Sequence, residues 1–229
     1  VAEDSGQSSI TLTGIGAGFG ESQTLSFSAT SSVPGFLAAA PTFVYTQGTS
    51  AATMNFTPAA NVTGTSTITV TVTDDTSVDG IAKSVIKTFL LTVTPKNDAP
   101  TFDTVTQPNA TVTIDENTAK ETVVMPIEFD DIDTPFNQLT FGIVGGNSSG
   151  AFKVVYDNVT GVASLVVANA DALNFEQTSS ISVEVRIFDA SSVAPTQQFA
   201  TRTFTVNLND LTESLVIDPA NWTNSGLIV

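Results

Sequence analysis

The 229-residue sequence predicts an all-β chain built as two tandem Greek-key β-sandwich modules. Three observations predict it. Apolar residues alternate with Thr and Ser along many short stretches, no stretch sustains a helical period, and Gly, Pro, Asn and Asp gather between the stretches. A period of two turns one strand face to a core and the other to water, the pattern of a sandwich of short strands.

The strands can be placed in order. In the first half the alternating sets are Leu25/Phe27/Ala29, Ile68/Val70/Val72 and Phe89/Leu91/Val93. In the second they are Ile127/Phe129, Leu139/Phe141/Ile143, Ile181/Val183/Val185/Ile187 and Phe204/Val206/Leu208. Thr fills many of the intervening positions, where a half-buried pleated surface favours it. The boundary falls at Thr94-Pro95-Lys96-Asn97-Asp98-Ala99-Pro100, because two prolines around Asn-Asp neither continue a central strand nor form a helix. A similar ending recurs at Asn207-Leu208-Asn209-Asp210, about 110 residues later, one module length. The expected modules are residues 1–98 and 99–212. Residues 213–229 read either as the start of a further module or as a disordered end.

Composition narrows the function. Only 13% of residues are charged, yet 7 Lys+Arg face 23 Asp+Glu, a net charge of −16. Such a surface repels phosphate backbones and anionic lipid, which excludes nucleic acid as a partner and disfavours a membrane surface. Its electrostatic partners are cations. With no Cys and no His, disulfides, thiolate nucleophiles, the commonest general base and the commonest transition-metal ligand are all missing. The longest apolar-leaning run, residues 35–45, is too short to span a bilayer and is broken by Pro41, so membrane insertion by this segment is not expected. The chain starts on Val1 and reads as a segment of something longer, with its targeting signals elsewhere.

The most informative constellation is acidic. Asp115-Glu116-Asn117, Asp131-Ile132-Asp133, Leu173-Asn174-Phe175-Glu176, Asp189 and Asn209-Asp210 each sit at the end of an inferred strand. Strand ends collect at the two poles of a sandwich, so carboxylates distant in sequence converge there. Anions that close repel unless a hard cation lies among them, and Ca²⁺ takes six to eight oxygen ligands of the kind this set supplies. Acidic loop residues can equally serve only solubility and edge protection. One such residue supports that plainer reading, whereas the group favours calcium.

In order and spacing these motifs resemble those of cadherin repeats: Pro-Glu-Asn, Asp-x-Asp, Leu-Asp-Arg-Glu, x-Asp-x and an Asp-x-Asn-Asp-Asn linker. The resemblance covers residues 100–212. It departs at Asn174, where the family has Asp, and at Leu211, where it has Asn, which implies weaker binding or fewer ions. The first module resembles bacterial Ig-like or cadherin-like repeats that open with Glu-Asp-Ser-Gly and close with Asn-Asp-Ala-Pro, here Glu3-Asp4-Ser5-Gly6 and Asn97-Asp98-Ala99-Pro100. The resemblance implies Ca²⁺ held at two poles. Asn97 and Asp98, with Asp131, Asp133 and Asp189, would face the first module, which contributes Glu3. Glu116, Glu176, Asn209 and Asp210 would lie at the far pole.

Three other motifs do not hold up. Asp75-Thr-Ser-Val-Asp79-Gly80 opens like an EF-hand loop, but Ile86 occupies the twelfth position, where a bidentate Glu belongs, so a hairpin turn is expected. The glycine-rich run 14–20 lacks a βαβ setting and reads as a flexible loop. Thr67, Thr69, Thr71 and Thr73 share a strand face as an ice-binding surface would require, but one row reflects β propensity and an array over several strands would be needed.

The expected function is therefore non-enzymatic: calcium-stiffened structural or adhesive spacer modules of a large secreted or cell-surface bacterial protein. Neighbouring modules of the same chain are the expected partners, with another cell-surface protein or a polysaccharide outside it. The alternative is a carbohydrate-binding module accompanying polysaccharide-degrading machinery, for which only Trp222, Tyr45 and Tyr156 offer the usual stacking rings. An enzyme would have to rely on a carboxylate pair such as Glu116 and Glu176, as in glycoside hydrolysis.

Overall fold

The computed structural model describes residues 1–76, 80–190 and 197–212. The expectations for residues 213–229 and Trp222 lie outside the described residues, as do residues 77–79 of the turn expected at 75–80. The chain divides into two compact units, Val1–Asp98 and Ala99–Ala190 with the chain from Gln198. Both are β-sandwiches. Among the described residues no helix is long and apolar enough to cross a membrane.

Unit 1 holds β1 (Ser8–Thr13), β2 (Leu25–Ser31), β3 (Thr42–Tyr45), β4 (Ala51–Phe56), β5 (Gly64–Asp74) and β6 (Ser84–Val93). They form two antiparallel sheets, β1-β4-β3 and β2-β5-β6, and the chain crosses between sheets after β1, β2 and β4 in Greek-key fashion. Alternation sends Met54 and Phe56 from one sheet, and Ile68, Val70, Leu91 and Val93 from the other, into one core with Phe36. The outward face of β5 is the Thr row. Its neighbours are Ser26, Ser28 and Thr30 on β2 and Ser84, Ile86, Thr88 and Leu90 on β6, so the hydroxyl-rich face is three strands wide. Ile86 and Leu90 interrupt it, 61% and 65% exposed.

Unit 2 holds β7 (Thr101–Phe102), β8 (Thr111–Asp115), β9 (Val123–Ile127), β10 (Phe129–Asp130), β11 (Thr140–Gly145), β12 (Phe152–Asp157), β13 (Val162–Val167), β14 (Ser180–Phe188) and β15 (Phe199–Asn209). One sheet runs β11-β14-β15-β8, the other β12-β13-β9, with a short β7-β10 ribbon. Val183, Val185, Phe204 and Val206 of the first sheet meet Leu165, Val167 and Ile127 of the second in the core. The alternating pair Ile127/Phe129 belongs to two strands rather than one. β9 pairs with β13 and β10 with β7, and the switch is at Glu128. The Glu128 carbonyl accepts from the N–H of Asp103, next to β7, while its N–H bonds to the side chain of Gln107 in place of a backbone partner.

One pairing positions the candidate site. β8 runs parallel to β15 with Asp115 beside Asn209, so the entering and leaving strands end side by side at one pole.

Candidate metal centre

The centre at that pole is assembled from three segments tied by backbone hydrogen bonds. After β8, the N–H of Glu116 donates to the carbonyl of Asn209 (3.2 Å) and that of Asn117 to the carbonyl of Leu173 (2.9 Å). Asn117 has φ 58°, a left-handed conformation that Asn tolerates better than most residues. The Glu116 side chain, 1% exposed, closes the assembly: Oε2 accepts from the N–H of Phe175 (2.9 Å) and Oε1 from that of Leu211 (2.8 Å). These two backbone donors hold its pKa below the ordinary carboxylate value. A buried carboxylate thus stays charged because the chain itself supplies the donors.

Two exposed carboxylates join it. Ligand oxygens of Glu116, Glu176 and Asp210 all lie within 4.8 Å of one another, and among the described residues this is the one group of three or more such side chains so placed. Glu176 follows a 3-10 turn at Ala170–Ala172, and Asn174 folds that segment by accepting from the N–H of Gln177 through Oδ1 (2.8 Å). Asn209 donates through Nδ2 to Asp115 Oδ1 (2.9 Å), which fixes the ends of β8 and β15 together. Two unit charges about 5 Å apart repel by about 0.9 kcal/mol even at the dielectric of water. The donor set is all oxygen, from carboxylates close to backbone carbonyls, and it fits a hard divalent cation and not zinc or copper. Glu116, Glu176, Asn209 and Asp210 therefore meet at one pole.

The other predicted ligands are distributed as follows. Asp131 and Asp133 share a turn after β10, where Asp131 Oδ1 accepts from the N–H groups of Asp133 (3.2 Å) and Thr134 (2.9 Å). Asp131 Oδ2 is buried with no hydrogen-bond partner. Burial, and then the neighbouring Asp133 carboxylate, push the Asp131 pKa up to about 6. Asp189 follows β14, is 1% exposed, and accepts from the N–H of Gln198 through Oδ1 (2.9 Å). Asp131, Asp133 and Asp189 do not form a triad as close as that around Glu116.

Unit 1 repeats part of the Glu116 arrangement. Glu3 is 4% exposed, its N–H donates to the carbonyl of Thr94 (3.0 Å), and its Oε1 accepts from the N–H of Lys96 (2.8 Å). Asp4, like Asn117, follows the buried glutamate with positive φ. Asn97 is fully buried and Asp98 half-buried. Asn61, which the motifs do not single out, donates its N–H to Asp4 Oδ1 and its side-chain nitrogen to Asp4 Oδ2 and Asp98 Oδ2 (3.2 Å each). Its φ of 56° would have been the signal, but a left-handed Asn is not visible as such in sequence.

Among the described residues, the two tyrosines named for a sugar platform pack on phenylalanines. Tyr45 packs on Phe27 (5.0 Å between centroids), and Tyr156 on Phe129 and Phe141 (5.8 and 4.5 Å).

No family model matches the chain, and no curated protein does. Among solved structures it is similar to protocadherin gamma B2 extracellular cadherin domains 1–5, at 16% identity over 82% of this chain and 34% of that one, TM-score 0.49. It is similar to mouse cadherin-23 EC22–24, at 16% identity over 82% of this chain and 54% of that one, TM-score 0.49. It is similar as well to human CDH23 EC21–23, at 17% identity over 82% and 63% of the two chains, TM-score 0.48. The chain spans about a third of the protocadherin structure, and its structural neighbours are extracellular cadherin domains.

Proposed function

We propose that the chain is a pair of calcium-stiffened spacer modules, residues 1–98 and 99–212, of a secreted or cell-surface protein, with a structural or adhesive and non-enzymatic role. The observation that carries the reading is the meeting of Glu116, Glu176 and Asp210 from three separate segments, one of them buried and bound by two backbone N–H groups. Ca²⁺ at this pole takes the three carboxylates with Asn209 nearby. Asn97, Asp98, Asp131, Asp133, Asp189 and Glu3 supply a second set for the junction. The buried, unpartnered Asp131 Oδ2 and its raised pKa support a role for that residue beyond solubility. A bound ion fixes the direction in which the chain leaves a module, and repetition of that constraint makes a rod. Adjacent modules are then the principal partners, and the bacterial surface setting rests on the opening and closing motifs of the first module.

Calorimetric titration with Ca²⁺ tests the proposal. Binding in the range of about 10⁻⁴–10⁻³ M typical of extracellular modules is expected, weakened at least tenfold by Asp210→Asn and, at the second set, by Asp133→Ala. The absence of any binding heat or chelator-sensitive melting would remove calcium from the reading.

A further inference from the structure

The outer face of the β11-β14-β15-β8 sheet carries an unpaired cation. Val185 and Ile187 are fully buried, so alternation turns Arg186 and Phe188 of β14 outward. Register sets Arg186 between Gly142 of β11 and Thr201 of β15, and Phe188 between Thr140 and Phe199. The Arg186 guanidinium lies over the Phe199 ring, 4.4 Å from its centroid, and 5.7 Å from that of Phe188. Its Nε donates to Thr201 Oγ1 (3.2 Å). Among the described residues its two terminal nitrogens have no acceptor, and no carboxylate pairs with it. The Glu184 carboxylate, two positions back on the same face, lies against Gly145 instead. Arg202, the other guanidinium of the chain, is by contrast engaged within unit 2, where it donates to the carbonyl of Gln107 (2.6 Å). A guanidinium left without an anion is unexpected in a protein of net charge −16.

Gly142, directly opposite Arg186, is the second observation. Glycine inside a strand weakens it, and here neither backbone nor packing requires one. Its φ lies outside the left-handed region, and a Cβ there would meet nothing within 4 Å. The missing side chain leaves the surface beside Arg186 bare. An exposed ring (Phe199, 53%), a guanidinium held against it and open backbone therefore lie side by side.

We infer that this face binds a carboxylate-bearing sugar, a uronate unit of an acidic polysaccharide. A guanidinium fixed by a ring and one hydroxyl presents its remaining N–H groups in one plane, which matches a carboxylate bidentately. Phe199 offers an apolar surface to the C–H face of the sugar ring, Thr140 and Thr201 offer hydroxyls, and the space over Gly142 admits the ring. An acidic peptide fits less well, because β14 and β15 are interior strands and give it no backbone edge for strand addition. A shallow, open face also suits one unit of a long polymer better than an enclosed small molecule. The inference gives the adhesive part of the proposed function an outside partner and rests on that part alone; calcium plays no role in it.

NMR titration of the full chain with trigalacturonate tests it, in chelator so that no cation bridges two carboxylates. Shifts are expected at the amides of Gly142, Arg186 and Thr201 and at Arg186 Nε, with a Kd that rises with salt. Arg186→Gln should raise Kd about tenfold or more, as loss of a charge-assisted hydrogen bond does, and Gly142→Leu should do the same by filling the space. Arg186→Lys should bind no better than Arg186→Gln, since an ammonium lacks the planar fork. No shifts at these residues, or an unchanged Kd in Arg186→Gln, overturns the proposal. Loss of the fold in Gly142→Leu would show that the space is not open and would overturn it too. Equal binding of a neutral galactose trimer would remove the carboxylate, and equal binding of triglutamate would assign the face to an acidic peptide; either overturns the uronate. Failure of this titration in a chain that still binds Ca²⁺ overturns this inference alone, and sugar binding by a chain that ignores Ca²⁺ leaves it standing.

Discussion

Neutralising the two exposed carboxylates of the candidate centre should stabilise the calcium-free protein and abolish its response to calcium. In the double variant Glu176→Gln/Asp210→Asn the three close carboxylates around Glu116 become one. Each pairwise repulsion removed is worth about 0.9 kcal/mol at water's dielectric in the geometry seen, and less in so far as the exposed side chains swing apart when no ion holds them. The variant in chelator should therefore melt a few degrees above the parent, at about 4–8 °C per kcal/mol for a small domain. Calcium at ten times the dissociation constant should add about 1.4 kcal/mol to the parent for each site occupied. The variant should lack the increment from this site, so the two melting curves exchange order between chelator and calcium. Differential scanning calorimetry at low ionic strength reads both arms, and salt should shrink the chelator difference. A double variant that is less stable in chelator, or one that keeps the whole calcium increment, would refute the electrostatic argument.

Three further outcomes follow from the geometry. Because the folded pKa of Asp131 is raised to about 6 from 3.8, ionising it costs folded-state stability above pH 6. In chelator, melts of unit 2 should therefore rise as pH falls from 7 towards 5, by less than about 1 kcal/mol after solvent screening, and Asp131→Asn should remove that slope. Gly146 has φ +74°, and a Cβ there would lie 1.8 Å from the Ser182 carbonyl oxygen; Gly146→Ala should destabilise unit 2 by about 2–5 kcal/mol in denaturant titration, whereas Gly150→Ala, with no atom within 4 Å, should cost only its backbone strain. Leu165→Ala, at a fully buried position, should cost about 2–5 kcal/mol in unit 2 and leave the unit 1 transition in place, which tests the independence of the modules.

The core was legible because alternation is a direct record of burial. Phe204, Val206 and Leu208, or Ile68 and Val70, sit where a period of two places them. The break at Glu128 was not legible, since it depends on Gln107, a residue 21 positions away whose side chain replaces a strand partner. Of the centre, the carboxylates could be named from motif order, but their fasteners could not. The N–H groups of Phe175 and Leu211 have no signature in residue type, and Asn61 reaches Asp4 and Asp98 only because of a left-handed turn. The face around the Thr row shows the same limit: Thr67 to Thr73 suggested one row, whereas register with β2 and β6 decided its width.

The parallel pairing of β8 with β15 has a mechanical consequence. Tension applied through residues before β8 and after β15 pulls the two strands past each other along their length. All the bonds between Thr111–Asp115 and Thr205–Asn209 then resist together, where an antiparallel hairpin would unzip one rung at a time. Glu116 adds two more bonds at the exit, its N–H donating to the Asn209 carbonyl and its Oε1 accepting from the Leu211 N–H, so rupture requires the whole clasp to shear. In a single-molecule pulling experiment unit 2 should yield at a higher force when pulled through residues before β8 and after β15 than when pulled apart across the antiparallel β14–β15 pair.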